Sequence, residues 1–221
     1  MATGASTGNT DSPEFPQLSL IDDALAIRAE LTHQIQDEEK TVMVVMHSYG
    51  GLVGSEATTE ELSYAKRQAQ GLPGGVMHLF FYSAFLLNEG QSVLSTFGES
   101  PNNDVKPDGR FYILHGDKTL YNDLPPSEAS MWASRLIAQS YQVQTTKLTH
   151  AAWRYIPSTY LICENDQAAP PEYQETFAAN IKAQVERCSS GHSPHLSQPE
   201  TLVRKIHEAS QKAVAGLSHG D

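Results

Sequence analysis

The stretch Thr41-Val42-Met43-Val44-Val45-Met46-His47-Ser48-Tyr49-Gly50-Gly51 decides how the rest of the chain is read. Its first six residues form a nearly continuous β-branched and apolar run, the pattern of a strand covered on both faces of a parallel sheet. The chain then turns sharply at His47-Ser48-Tyr49, and Gly50 and Gly51 open a helix that carries Leu52, Val53 and Ala57 on one side. A strand that runs straight into a tight turn and a helix lifts the side chain at the turn above the sheet, and small residues are needed where strand and helix approach. Ser48 holds that lifted place.

Upstream, Ser19 precedes a run from Leu20 in which apolar residues recur at helical spacing. Asp22 and Asp23 crowd its first turn, where negative charge suits the helix dipole. A helix is expected from about Leu20 to about Gln36. Downstream, Val76 to Tyr82 reads as a second buried strand and Thr159 to Cys163 as a third, with a short fourth from Ala183 to Arg187. Helices are expected over Pro171 to Ile181 and Pro199 to Ala215. Such alternation argues for an α/β sheet with crossover connections. Residues 88–155 break it, with turn-rich Pro101-Asn102-Asn103-Asp104 and then a helical segment from Ser127 to about Ser140. The reading is a cap inserted over the carboxyl edge of the sheet, the alternative a surface excursion with no part in binding. A chain of 221 residues suits one domain, 1–221, with the cap at 88–155 inside it.

Composition narrows the function classes. With 39% hydrophobic and 19% charged residues the chain has the profile of a folded globular protein. A net charge of −11 without a Lys/Arg cluster would repel a polyanion, so nucleic acid is not an expected partner. The longest apolar run, Val76 to Leu87, is shorter than the roughly 20 residues a bilayer requires, so no membrane segment is expected. Residues 1–19 lack the basic and apolar regions of a secretory leader, which gives a cytoplasmic location as the expectation. Cys163 and Cys188 are the only cysteines and read as reduced thiols; neither has ligand spacing, so neither a metal nor another cofactor is expected.

A serine hydroxyl becomes a nucleophile when a base takes its proton and fixed donors meet the oxyanion that forms. The base belongs on a loop after the last strand, where Cys188-Ser189-Ser190-Gly191-His192-Ser193-Pro194 follows the fourth run. His192, after a glycine, is preferred, with His195 as its rival. An acid must hold the imidazole tautomer, and Asp166, just past the third strand, would lie on the same edge as Ser48; Glu164 is the rival acid. The amide of Tyr49 would give one oxyanion donor. Phe85, Tyr121, Trp132 and Trp153 are candidates for an apolar substrate lining, although aromatics of this kind are more often plain core.

With those residues in place the chain resembles the α/β-hydrolases. The order Ser48, Asp166, His192 is theirs, distinct from the orders of trypsin-like and subtilisin-like proteases. The segment Pro157 to Asp166 with Pro170-Pro171-Glu172-Tyr173-Gln174, the elbow His47-Ser48-Tyr49-Gly50-Gly51 and the pair Gly191-His192 are similar to the plant methyl-ester esterase and hydroxynitrile lyase branch. The resemblance covers the chain from about Leu20 and implies a three-layer, mostly parallel sheet with an inserted cap. Two departures stand out. Met46 occupies the place of the first glycine of Gly-x-Ser-x-Gly, so the crowding there must somehow be relieved. Ser193 follows the histidine where the lyases carry a lysine that helps stabilise departing cyanide.

The resemblance also implies strands, and a loop bearing a second oxyanion amide, ahead of Leu20. The sequence shows none there, so the fold is expected to be shortened at its N-terminus. An open sheet edge would then invite pairing with another chain, a homo-oligomer. The expected function is a serine hydrolase cleaving a carboxylic ester, lactone or thioester of a small apolar molecule. A catalytically silent ligand-binding homologue and a cofactor-free lyase of the same fold are the alternatives.

Overall fold

The computed structural model describes residues 9–217, so the expectations about residues 1–8 and 218–221 lie outside the described part. Ser19 caps the first helix, α1 (Leu20–Thr32). Its hydroxyl accepts the amide of Ile21, while Asp22 reaches back to the Ser19 amide at 2.8 Å in a capping box. A π-helical turn, His33–Asp37, carries α1 on into β1 (Thr41–His47). Then come α2 (Gly50–Ala57), α3 (Tyr64–Ala69) and β2 (Gly75–Tyr82). The interval after β2 holds α4 (Val93–Phe97), β3 (Asn103–Val105), β4 (Arg110–Ile113), α5 (Gly116–Thr119), α6 (Pro126–Ala133), β5 (Gln139–Ser140) and α7 (Gln142–Thr145). Regular alternation resumes with β6 (Ser158–Cys163), α8 (Pro171–Asn180), β7 (Gln184–Cys188), α9 (Pro194–Ser197) and α10 (Pro199–Leu217).

Four strands form one parallel sheet in the order β1-β2-β6-β7, and β3-β4-β5 form a small antiparallel sheet of their own. The central strands β2 and β6 are buried nearly throughout, with Leu79, Phe80, Phe81, Tyr160 and Leu161 wholly inside. Burial of that apolar surface is the main driving force for the sheet. Cys163 and Cys188 are free thiols side by side at the ends of β6 and β7, their sulfurs 3.7 Å apart. Among the described residues no helix is long and apolar enough to cross a membrane.

Two sequence expectations are corrected. β1 is not covered like a central strand: among the described residues it is the outer edge of the sheet, paired only with β2, and Val45 is 41% exposed. The helix expected from Ser127 to Ser140 ends at Ala133, because Gln139 and Ser140 instead pair with Phe111 and Arg110 and extend the small sheet. Asp22 and Asp23 do lie in the first turn of α1; Asp23 turns inward there, is 1% exposed, and accepts the Tyr49 hydroxyl at 3.0 Å.

Candidate active site

Ser48 lies between the end of β1 and the start of α2 with a φ of 53°, the left-handed region that costs an ordinary residue strain and recurs at functional turns. Its carbonyl is fixed from two sides, by the amides of Gly51 and Phe85, both at 3.0 Å. The glycines around the turn are not equivalent. A Cβ at Gly51 would collide with the carbonyl of Phe85, whereas one at Gly50 would meet open space. The crowding that Met46 introduces is relieved by Gly54, where a Cβ would overlap the Met46 sulfur. The side chain added on the strand is matched by one absent from the helix.

Three loops at the carboxyl ends of β1, β6 and β7 bring Ser48, Asp166 and His192 together. Ser48 Oγ is 3.0 Å from His192 Nε2, and His192 Nδ1 is 2.9 and 3.0 Å from the two Asp166 oxygens. The carboxylate can only accept, so Nδ1 carries the proton and Nε2 is left to accept from the serine hydroxyl. Asp166 is buried and further held by the amides of Ala168 and Ala169 at 2.8 and 2.9 Å. Gln174 of α8, also buried, donates to Asp166 at 3.2 Å and to the Ala169 carbonyl at 2.6 Å. Both rivals point elsewhere. Glu164 is exposed and pairs with Arg187 at 3.5 Å. His195 lies edge-on to His47, ring centres 5.0 Å apart, without a bond to Ser48 or Asp166.

His47, named in the sequence only as part of the turn, donates from Nε2 to the His192 carbonyl at 2.7 Å and stacks on Tyr82. Burial, reinforced by the neighbouring His192 and His195, holds its pKa well below the usual histidine range, so the ring stays neutral. Burial likewise raises the Asp23 carboxyl to about 7, against the opposing hydrogen bond from Tyr49. The Tyr49 amide stands at the N-cap of α2, where backbone donors lack intrahelical acceptors.

A cleft of about 870 Å³ opens beside Ser48 and His192, and Tyr121, Trp132, Ile113, Leu136 and Val143 contribute to its wall. Phe85 and Trp153, expected there, do not line it. Both pack into the core clusters beneath, Phe85 against Phe97 with ring centres 5.7 Å apart and Trp153 under the Arg154 guanidinium. The Phe85 amide braces the elbow through its bond to the Ser48 carbonyl. Among the described residues there is no cluster of three or more potential metal ligands.

A parallel sheet that delivers a serine, a histidine and a buried acid to one edge is the architecture of an α/β-hydrolase. The sequence model described as the alpha/beta hydrolase family matches residues 3–205. The chain is 33% identical over 207 residues to alpha/beta hydrolase nvfD of Aspergillus novofumigatus, covering 90% of this chain and 81% of that protein. It is 27% identical over 205 residues to probable hydrolase R7 of a Phoma species, covering 88% and 80%. Among solved structures, polyneuridine aldehyde esterase superposes with a TM-score of 0.64 at 16% identity, over 87% of this chain and 80% of that one. An Arabidopsis methylesterase, MES16, superposes with a TM-score of 0.63 at 18% identity, over 91% and 80%. At such identities these two structures share the fold. The chain belongs to the alpha/beta hydrolase family, and it is a hydrolase of that family.

Proposed function

We propose that the protein is a serine hydrolase that cleaves a carboxylic ester of a small, largely apolar molecule. The observation that carries this reading is the unbroken hydrogen-bond chain from Ser48 Oγ through His192 to Asp166. His192 Nε2 takes the serine proton as Oγ attacks the ester carbonyl, and Asp166 stabilises the imidazolium. The Tyr49 amide meets the developing oxyanion. The imidazolium then protonates the departing alcohol, and water, deprotonated by the same imidazole, releases the acid from Ser48. Residues 88–155 act as a cap, with Tyr121 and Trp132 contacting the substrate. The esterase names of the structural neighbours support ester chemistry, and Ser193 in the lyases' lysine place favours hydrolysis over cyanohydrin cleavage. Among the described residues the outer edge of β1 is unpaired, which supports self-association, and sedimentation velocity tests it.

The decisive experiment is labelling with a fluorophosphonate. The wild-type chain takes the label at Ser48 and Ser48→Ala takes none. Wild-type protein left unlabelled, under conditions that label a control esterase, overturns the reading in favour of a silent binding protein.

A further inference from the structure

Directly after Tyr121, which lines the cleft, Asn122 and Asp123 each reach a different loop of the triad. Asn122 donates from Nδ2 to the carbonyl of Asn165, the residue before Asp166, at 2.9 Å. Asp123 Oδ2 accepts the amide of Gly191, the residue before His192, at 2.6 Å. A carboxylate receiving a backbone amide makes one of the stronger hydrogen bonds available to a protein. The approach is close enough to dictate the sequence at the loop: a Cβ on Gly191 would stand 2.5 Å from Asn122 Oδ1 and 2.7 Å from Asp123 Oδ1. Gly191 is thus a glycine because two side chains from the excursion occupy the space a methyl group would need.

Stability alone does not account for this contact. Asn122 Oδ1 and Asp123 Oδ1 are both buried without a hydrogen-bond partner, and a buried unsatisfied acceptor is a net cost to stability. Two such oxygens side by side, both aimed at a backbone that must stay bare to admit them, make a poor clasp if holding the chain together is its whole purpose. Such exceptions in an otherwise satisfied interior call for a reason. Both donor-acceptor pairs converge on the residues immediately preceding the acid and the base.

We propose that Asp123 is a positioning residue for His192 and Asn122 one for Asp166, so that the docked excursion sets the alignment of the imidazole with Ser48. The inference rests on the serine hydrolase reading above. A misplacement of the order of 1 Å at a reacting group costs about 10²-fold in rate, so a loop released from Asp123 should lose turnover more than substrate affinity.

The test compares wild-type protein, Asp123→Ala, Asp123→Asn and Asn122→Ala for turnover of p-nitrophenyl butyrate and for rate of fluorophosphonate labelling, with thermal melting as the control for folding. Asp123→Ala should lose roughly 10²-fold in kcat with KM little changed, and should label correspondingly slowly. Asp123→Asn keeps an oxygen that can accept the Gly191 amide and should recover most of the rate. If Asp123→Ala does not fold, Asn122→Ala decides by breaking the other arm, with a loss of about tenfold or more expected in kcat. Wild-type kcat in every folded variant overturns the inference, as does a loss in Asp123→Ala that Asp123→Asn fails to recover. A wild-type chain that takes no label removes the triad reading itself, whereas a labelled wild type with an equally fast Asp123→Ala removes this inference alone.

Discussion

The parallel sheet and the small antiparallel sheet of the excursion between β2 and β6 are held by different chemistry. In the sheet, Leu79, Phe80, Phe81, Tyr160 and Leu161 are wholly buried and pack in continuous apolar layers. The small sheet of the excursion covers little more than Phe111 and Val143; beside it Val93, Leu148 and Ala151 join Leu20, Leu52 and Val53 in an apolar cluster, and polar contacts add direction to the docking. Arg110 donates to the carbonyls of Thr10 and Ser12 at 2.9 and 2.8 Å. Buried Glu56 of α2 gathers the amides of Thr149 and His150, together with the Thr149 hydroxyl and the His150 ring. Apolar burial is non-directional and makes a rigid platform. Hydrogen bonds are directional, and they specify where the excursion docks over that platform.

The contrast can be broken at its strongest point by truncating Phe81, which lies inside the core and stacks on Tyr160 with ring centres 6.3 Å apart. Phe81→Ala should cost about 3–5 kcal/mol, read as a fall in denaturant midpoint that unfolds the whole protein together. Glu56→Ala tests the other region. It leaves several donors unpaired and should cost about 2–4 kcal/mol, and limited proteolysis should cut first within residues 88–155 while the sheet persists. Loss of both regions in step would show that the polar clasp and the core are one cooperative unit.

The smallest effect is one of pH, at the seam between the two regions, where Asp23 and Tyr49 meet. Burial raises the Asp23 carboxyl from 3.8 to about 7. The native state therefore holds a proton that the unfolded chain has already released. The favourable contribution is complete below about pH 4 and is lost as pH rises through about 7. Asp23→Asn cannot titrate, so its melting temperature relative to wild type should rise between those values; a constant difference would refute the assignment.

The same contrast explains what could be read in advance. The runs 41–46, 76–82 and 159–163 announce strands because each carries its apolar residues consecutively, and the order Ser48, Asp166, His192 follows from where loops leave such strands. The excursion has no such signal. Strands of three, four and two residues, Asn103–Val105, Arg110–Ile113 and Gln139–Ser140, are too short to show a period. For Phe85 and Trp153, residue type says that a ring will pack against apolar neighbours and not which side of the backbone it will face. Asp123 acts on a residue 68 positions away, His47 on one 145 away, and neither contact has a local pattern. Gln174 stood within the segment that resembles the esterases without its role being visible. Gly191 was the single trace of the Asp123 contact in the sequence.

Met46 and Gly54 carry a lesson for recognising such proteins by pattern. What the crossing of β1 and α2 demands is one vacancy between two backbones, and either partner can supply it. Here the helix does, two turns beyond the serine. A search that insists on glycine two places ahead of the nucleophile passes over this chain, whereas one that asks whether strand and helix together leave the vacancy would find it.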